Sequence, residues 1–502
     1  MTSVANALSI PFERIADPAV RTVAEKVAAG TRLTQSDGVT LFGSRDLTGV
    51  GMLADAVNRA KHGDRVTFAS NQHINPTNIC TLRTTCLFCG YARLPKEEGA
   101  YRYSIEQVMD EARQAKEGLT REFHIVGGLD MQAGLDYYTT MFRALKAELP
   151  HVHIKALTAV EIAHIARIEK LSWTEVLIAL KEAGLDTMPG GGAETFSAAV
   201  REEIARKKLG AADYIGVHRA AHELGIRTNC TMLYGHVESH ADRMEHLQTL
   251  RDLQDETGGF LAYIPLAYHP DDNELGKKLG RQGIATSGVD DLKNLAVGRL
   301  FLDNFEHIKS HWIMVTQALS QISLHYGVND LEGTVVREKI YHAVGAQTSQ
   351  AMSLDALTKL IRGAGKVPAE RDSFYNVLRT FEEEQAEGGK FPSTFHLRPV
   401  VSRAPRPHSL HQLLPGVRGG RSWHRAARCH AGGRRADGAE PDDGRGHAGR
   451  QRRLRGRVCA GLGALPAAPR PRDLLRRPRA KRHALLHGAG RGPQRQARAR
   501  EP

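Results

Sequence analysis

The chain has 502 residues, a quarter of them charged, a formal net charge of +13 and only six cysteines, at positions 80, 86, 89, 230, 429 and 459. So few thiols, so unevenly placed, exclude a disulfide framework and point to a reducing, cytoplasmic setting. No stretch approaches the roughly 18 consecutive apolar residues that span a bilayer, and the first twenty residues lack a basic-then-apolar leader, so no membrane partner is expected.

The positive charge is confined to one end. Residues 401–502 hold 24 Arg, one Lys and six acids, a net of +19, which leaves residues 1–400 at −6. An acidic body argues against nucleic acid as the partner. Residues 401–502 also lack Ile, Phe, Tyr and Met entirely. Such a composition buries too little apolar surface to offset chain entropy, so residues 391–502 are expected to be a disordered tail. Its Arg, Ala, Gly and Pro content suits a GC-rich reading frame translated out of phase after a shift near residue 390, better than a phosphate-binding arm or a docking linker.

In chain order, residues 1–62 read as a helical segment. "DPAVRTVAEKVAAG" places Pro at a first turn and Gly after the apolar period stops, and "SRDLTGVGMLADAVNRAKHG" repeats the pattern. From residue 63 the pattern alternates. Short runs rich in β-branched residues ("RVTFAS", "EFHIVGG", "HVHIKALT", "LDTMPGG", "IRTNCTMLYG", "GFLAYIPLAYHP") are separated by amphipathic stretches such as "SIEQVMDEARQAKEG" and "LSWTEVLIALKEAG". Strand and helix in alternation predict right-handed βαβ units and a parallel sheet. The fold class is therefore α/β, a partial (βα)6 TIM-type barrel over residues 63–390, with "NLAVGRLFLDNFEHIKSHWIMVTQALSQISLHYG" and "MSLDALTKLIRGAG" as helices that close it. In such a barrel the chemistry sits at the C-terminal ends of the strands. Each run here ends in polar or Gly-rich residues.

The densest chemical signal is "NICTLRTTCLFCGYARLPKEEGAY", which carries Cys80, Cys86 and Cys89 directly after the first strand. Three thiolates there suit Zn²⁺ or an iron–sulfur cluster. A structural zinc site takes four protein ligands, usually in two pairs, whereas a [4Fe-4S] cluster held by three cysteines keeps one iron open.

A cysteine triplet ending in "CLFC" after the first barrel strand, with "VGG" ending the second, resembles the radical S-adenosylmethionine (SAM) superfamily. The blocks "NQHINPTNIC", "EEGAY", "KALTAVEI", "PGGGAE", "TMLYGHVE", "IPLAYHP", "LDNFEHIKSHW" and "GTVVREKIYHAVGA" together are similar to the aminofutalosine synthase family of the futalosine route to menaquinone. That resemblance runs from about residue 20 to 380 and implies a natural end shortly after "PAERDSFYNVL". Two departures stand out. Five residues separate Cys80 from Cys86 where the superfamily has three, and Leu129 follows Gly127 and Gly128 where the superfamily has a carboxylate.

The resemblance implies a [4Fe-4S] cluster on Cys80, Cys86 and Cys89, with SAM consumed as co-substrate and an electron donor such as flavodoxin or ferredoxin. It places Phe88 against the adenine, the carbonyls of Gly127 and Gly128 at the methionyl amino group, and Glu194 at the ribose, with Thr158 and Glu161 as further cofactor contacts and Asp130 as a helper beside the glycines. The implied substrate, 3-[(1-carboxyvinyl)oxy]benzoate, carries two carboxylates. His73, Asn75, His236 and His269 are the expected donors at the mouth, with Arg83 and Arg93 beside the cysteines; Cys230 reads as a buried strand thiol. The same blocks are shared in part with dehypoxanthine futalosine cyclase and with the deazaflavin synthase subunits.

Overall fold

A computed structural model describes residues 8–114, 119–283 and 286–381. The Arg-rich tail lies outside the described residues.

The N-terminal helices form where their caps and apolar periods direct. Helix Pro18–Ala28 starts on Asp17, whose carboxylate accepts the Ala19 N–H. Helix Gln35–Gly43 is closed by a Thr34/Asp37 capping box, and Leu47–His62 starts on Asp46. The second and third of these pack on helix Gly288–Phe301.

The strands are β1 (Arg65–Phe68), β2 (Asn71–Ile74), β3 (Glu122–Ile125), β4 (His153–Ala156), β5 (Thr187–Met188), β6 (Arg227–Tyr234), β7 (Phe260–Ala267), β8 (His307–Ser310), β9 (Asp330–Leu331), β10 (Val367–Arg371) and β11 (Val377–Thr380). Their order in the sheet is β11-β10-β1-β9-β8-β7-β6-β5-β4-β3-β2. Every pairing is parallel except β10 with β11. β1 and β2 are two halves of one path, broken at Ala69 and Ser70; β1 pairs with β9 and β10, and β2 pairs with β3. The sheet curls until β2 meets the segment that follows β9: the His73 N–H donates to the Val336 carbonyl at 3.0 Å, and the Thr334 N–H to Ala69 at 3.2 Å.

The six expected strands are present, but six is not the full count. The stretch read as closing helices also contains β8, β9 follows it, and β10 pairs parallel with β1 after the last helix, so three more parallel strands join the sheet. β8 and β9 are short and carry charged residues that face inward (Lys309, Asp330), so neither has the apolar alternation that marks a strand.

Those inward charges belong to a buried ionic layer. Lys155 Nζ lies 2.6 Å from Glu122, Lys309 lies 3.3 Å from Asp330 and 3.2 Å from Glu332, and the Arg371 guanidinium meets Asp330 at 2.8 Å. All six side chains are buried. Thr67, Ser373 and Tyr375 hydroxyls donate to the same carboxylates. Burial alone would raise Asp330, but Arg371 and Lys309 pull it down to about 2. Three cations and three carboxylates balance, which is what keeps such a layer affordable inside a barrel.

Breaking one pair exposes that balance. Lys155→Met leaves Glu122 buried without its cation and is expected to cost about 3–5 kcal/mol in denaturant unfolding near neutral pH. Lys155 is the main group holding Glu122 far below its ordinary carboxylate range, so in the variant burial raises Glu122 and the loss shrinks on acidification as the variant's Glu122 takes up a proton before the wild type's does.

Candidate active site

The strand ends surround one cavity of about 290 Å³. Its lining takes in His73 from β2, Gly127 and Gly128 after β3, Thr158 and Glu161 after β4, Glu194 after β5, His269 after β7 and His311 after β8, together with all three clustered cysteines. Chemistry thus gathers at the C-terminal mouth, as expected of this architecture.

The cysteine loop is knitted onto the end of β3. The Gly128 N–H donates to the Thr77 carbonyl at 2.9 Å and the Thr81 N–H to the Leu129 carbonyl at 3.1 Å. A Cβ on Gly128 would lie 2.2 Å from the Ile79 carbonyl oxygen, and one on Gly127 2.9 Å from that of Thr77. The two glycines are therefore required by the loop itself, before any ligand is considered. Inside the loop the Arg93 guanidinium donates to the Gly90 and Ala92 carbonyls, both at 2.8 Å, and Arg83 pairs with Glu97 at 3.2 Å. Neither arginine lines the cavity; both are used within the loop, as surface bases rather than carboxylate receivers.

Cys80, Cys86 and Cys89 are free thiols facing one space. Burial pushes the Cys80 and Cys86 thiols up, while the Lys208 ammonium, 3.9 Å from Cys86 Sγ, favours the thiolate. Among the described residues no three His, Cys, Asp or Glu side chains converge as a single ion would need. Three separate thiols with a nearby cation fit a cluster gripped at three corners better than a four-ligand zinc site.

Lys208 is the residue that sequence reasoning missed. Its Nζ is 2.6 Å from Glu194 Oε1 and 5.2 Å from the centroid of the Phe88 ring. It therefore links the expected ribose acceptor, the expected adenine platform and the cysteines. Fourteen positions beyond Glu194 and three past the end of helix Ala198–Ala205, it carries no local signal. Glu194 itself sits at φ +55°, a left-handed conformation uncommon for a side-chain-bearing residue.

Thr158 and Glu161 form a capping box for helix Ala159–Glu169, with Glu161 Oε2 accepting from the Thr158 hydroxyl at 2.8 Å. The other carboxylate oxygen accepts the Gly127 N–H at 2.9 Å, which ties β4 to the glycine pair. Burial pushes Glu161 up to about 7 against these donors.

The remaining expectations divide. His73 and His269 line the cavity; His269 Nε2 contacts the Met314 carbonyl at 3.1 Å. Asn75 and His236 do not line it. The Asn75 amide donates to the Val126 carbonyl at 2.9 Å, bracing β2 on β3. His236 spends both ring nitrogens locally, Nε2 on the Leu233 carbonyl at 3.1 Å and Nδ1 on the Val237 N–H at 2.8 Å. Asp130 is taken up by Arg102 at 2.6 Å. Cys230 is a buried strand thiol, as expected.

Residues 74–250 match the radical SAM superfamily and residues 257–384 match the CofH/MqnC C-terminal region. With its thiols, glycines and barrel mouth in that arrangement, the chain belongs to the radical SAM superfamily. Among its relatives are the aminodeoxyfutalosine synthases of Thermus thermophilus, 45% identical over 74% of this chain and 99% of the relative, and of Streptomyces coelicolor, 41% identical over 72% and 95%. A 5-amino-6-(D-ribitylamino)uracil–L-tyrosine 4-hydroxyphenyl transferase of Methanosarcina acetivorans is 40% identical over 64% and 85%. Methylornithine synthase shares the fold, with a TM-score of 0.56 at 17% identity over 69% of this chain and 97% of that one. The protein is a radical SAM enzyme, and the superfamily's cofactors are a [4Fe-4S] cluster and SAM.

The backbone contact makes a sharp test. Gly128→Ala is expected to displace the cysteine loop and to lose most of the iron and sulfide bound per chain, with Gly127→Ala losing less. Chemical iron analysis and visible absorbance after anaerobic reconstitution read the difference.

Proposed function

We propose that this enzyme transfers the 5′-deoxyadenosyl group of SAM to the enol ether of 3-[(1-carboxyvinyl)oxy]benzoate, forming 6-amino-6-deoxyfutalosine for menaquinone biosynthesis. The observation that carries the reading is the 45% identity extending over 99% of an aminodeoxyfutalosine synthase. When bound and reduced, the cluster supplies the electron that cleaves the sulfonium of SAM.

The chain's own residues bind, orient and exclude water. Cys80, Cys86 and Cys89 hold the cluster; Phe88 packs on the adenine, and the Gly127 and Gly128 carbonyls receive the methionyl amino group. Glu194, held by Lys208, accepts from the ribose hydroxyls, while Thr158 and Glu161 keep the glycine turn in register. The cavity is lined largely by apolar groups such as Leu82, Val160, Ile264 and Val344, which shield a reactive carbon radical from solvent. An electron donor such as flavodoxin or ferredoxin supplies the electron.

A second reading has its own support. The 4-hydroxyphenyl transferase relatives favour transfer of a 4-hydroxyphenyl group from tyrosine to a ribitylaminouracil as the alternative.

An anaerobic assay separates the two. Full-length enzyme reconstituted with iron and sulfide, then given dithionite, SAM and 3-[(1-carboxyvinyl)oxy]benzoate, is expected to yield aminodeoxyfutalosine by mass spectrometry. Product from tyrosine and 5-amino-6-(D-ribitylamino)uracil instead, with none from the enol ether, would establish the alternative.

A further inference from the structure

Four carboxylates line the cavity (Glu161, Glu194, Glu332 and Glu338), against a single described cation, Lys208, and no described arginine. Lys208 is committed to Glu194. A dicarboxylate entering this space therefore meets no free positive charge. What it does meet is imidazole. His73 from β2, His124 from β3 and His311 after β8 all line the cavity, and the first two stack at 4.6 Å between ring centroids. His73 and His311 are more than nine-tenths buried, yet His73 Nε2 and His311 Nδ1 have no partner among the described protein groups. Buried ring nitrogens left without partners are costly unless a ligand satisfies them.

We propose that His73, His124 and His311 form the subsite for a substrate carboxylate, and that this carboxylate binds together with a proton. The proposal rests on the substrate assigned above. The surrounding charges leave little else to respond. Beneath the imidazoles, Glu122 of β3 is matched by Lys155 of β4, and Lys309 of β8 and Arg371 of β10 are matched by Asp330 and Glu332. Glu338 is taken up by His342 Nδ1 at 2.7 Å and by the N–H groups of Ile340 and Tyr341. Burial pushes His311 down to about 4 and lowers His73 and His124, while Glu332 and Glu338 act in the opposite sense. All three rings are thus neutral near pH 7 in the empty cavity. An arriving carboxylate raises the affinity of its imidazole partner for a proton, so proton uptake accompanies binding and affinity grows as pH falls.

The test is an equilibrium titration. Full-length, cluster-loaded, unreduced enzyme with SAM is titrated calorimetrically with 3-[(1-carboxyvinyl)oxy]benzoate in buffers of different ionisation heat. Uptake of about 0.5–1 proton per site near neutral pH is expected for the wild type, with affinity strengthening several-fold per unit of acidification. His311→Gln is expected to weaken binding about tenfold or more and to reduce the uptake, with iron content unchanged. Wild-type binding without proton uptake overturns this proposal alone and needs no variant to fold. Wild-type affinity in His311→Gln overturns it as well. No binding of the compound by a wild type that still cleaves SAM overturns the substrate reading, and this subsite with it.

Discussion

The contact on which this site depends is the approach of two backbones. The loop that leads into Cys80 lies so close to Gly127 and Gly128 that a methyl group on Gly128 would collide with the Ile79 carbonyl. Hydrogen bonds from Gly128 to Thr77 and from Thr81 to Leu129 fasten the seam. Because Glu161 accepts the Gly127 N–H while capping the next helix, the seam is continuous from β2 through β3 to β4. The thiols, the glycine turn and the helix cap are therefore one mechanical unit.

Beneath this unit the barrel is filled with charge as well as hydrocarbon. β10 brings Arg371 to Asp330, and the turn after it brings Ser373 to Glu122, so a segment about 300 residues beyond β1 completes the interior. Such long-range closure places much of the barrel's polar satisfaction in its last described residues. It also explains why β8 and β9 escape notice in the sequence. "HIKS" and "DL" are strands by virtue of what their charges meet, and that information lies elsewhere in the chain.

Legibility follows from this division. Where a strand buries a continuous apolar run, as β7 ("FLAYIPLA") does, that run declares it. The cysteine triplet, the glycine pair and the helix starts are local patterns, and all are readable. Roles decided by distant partners are not. Asn75 and His236 stand in polar strand ends like those of true lining residues, yet they bond to Val126, Leu233 and Val237. His311 lies in a stretch that reads as helix, and Lys208 has no motif at all; only folding brings each to the cavity.

The left-handed backbone at Glu194 has a further consequence. Holding a side-chain-bearing residue there costs on the order of 1 kcal/mol or more, drawn from folding rather than from binding. With its carboxylate already locked by Lys208, Glu194 has little rotational freedom left to surrender when a ligand arrives. A ligand received at this strand end would meet a preorganised carboxylate: the entropic cost is met once, when the chain folds, and would not recur at each turnover.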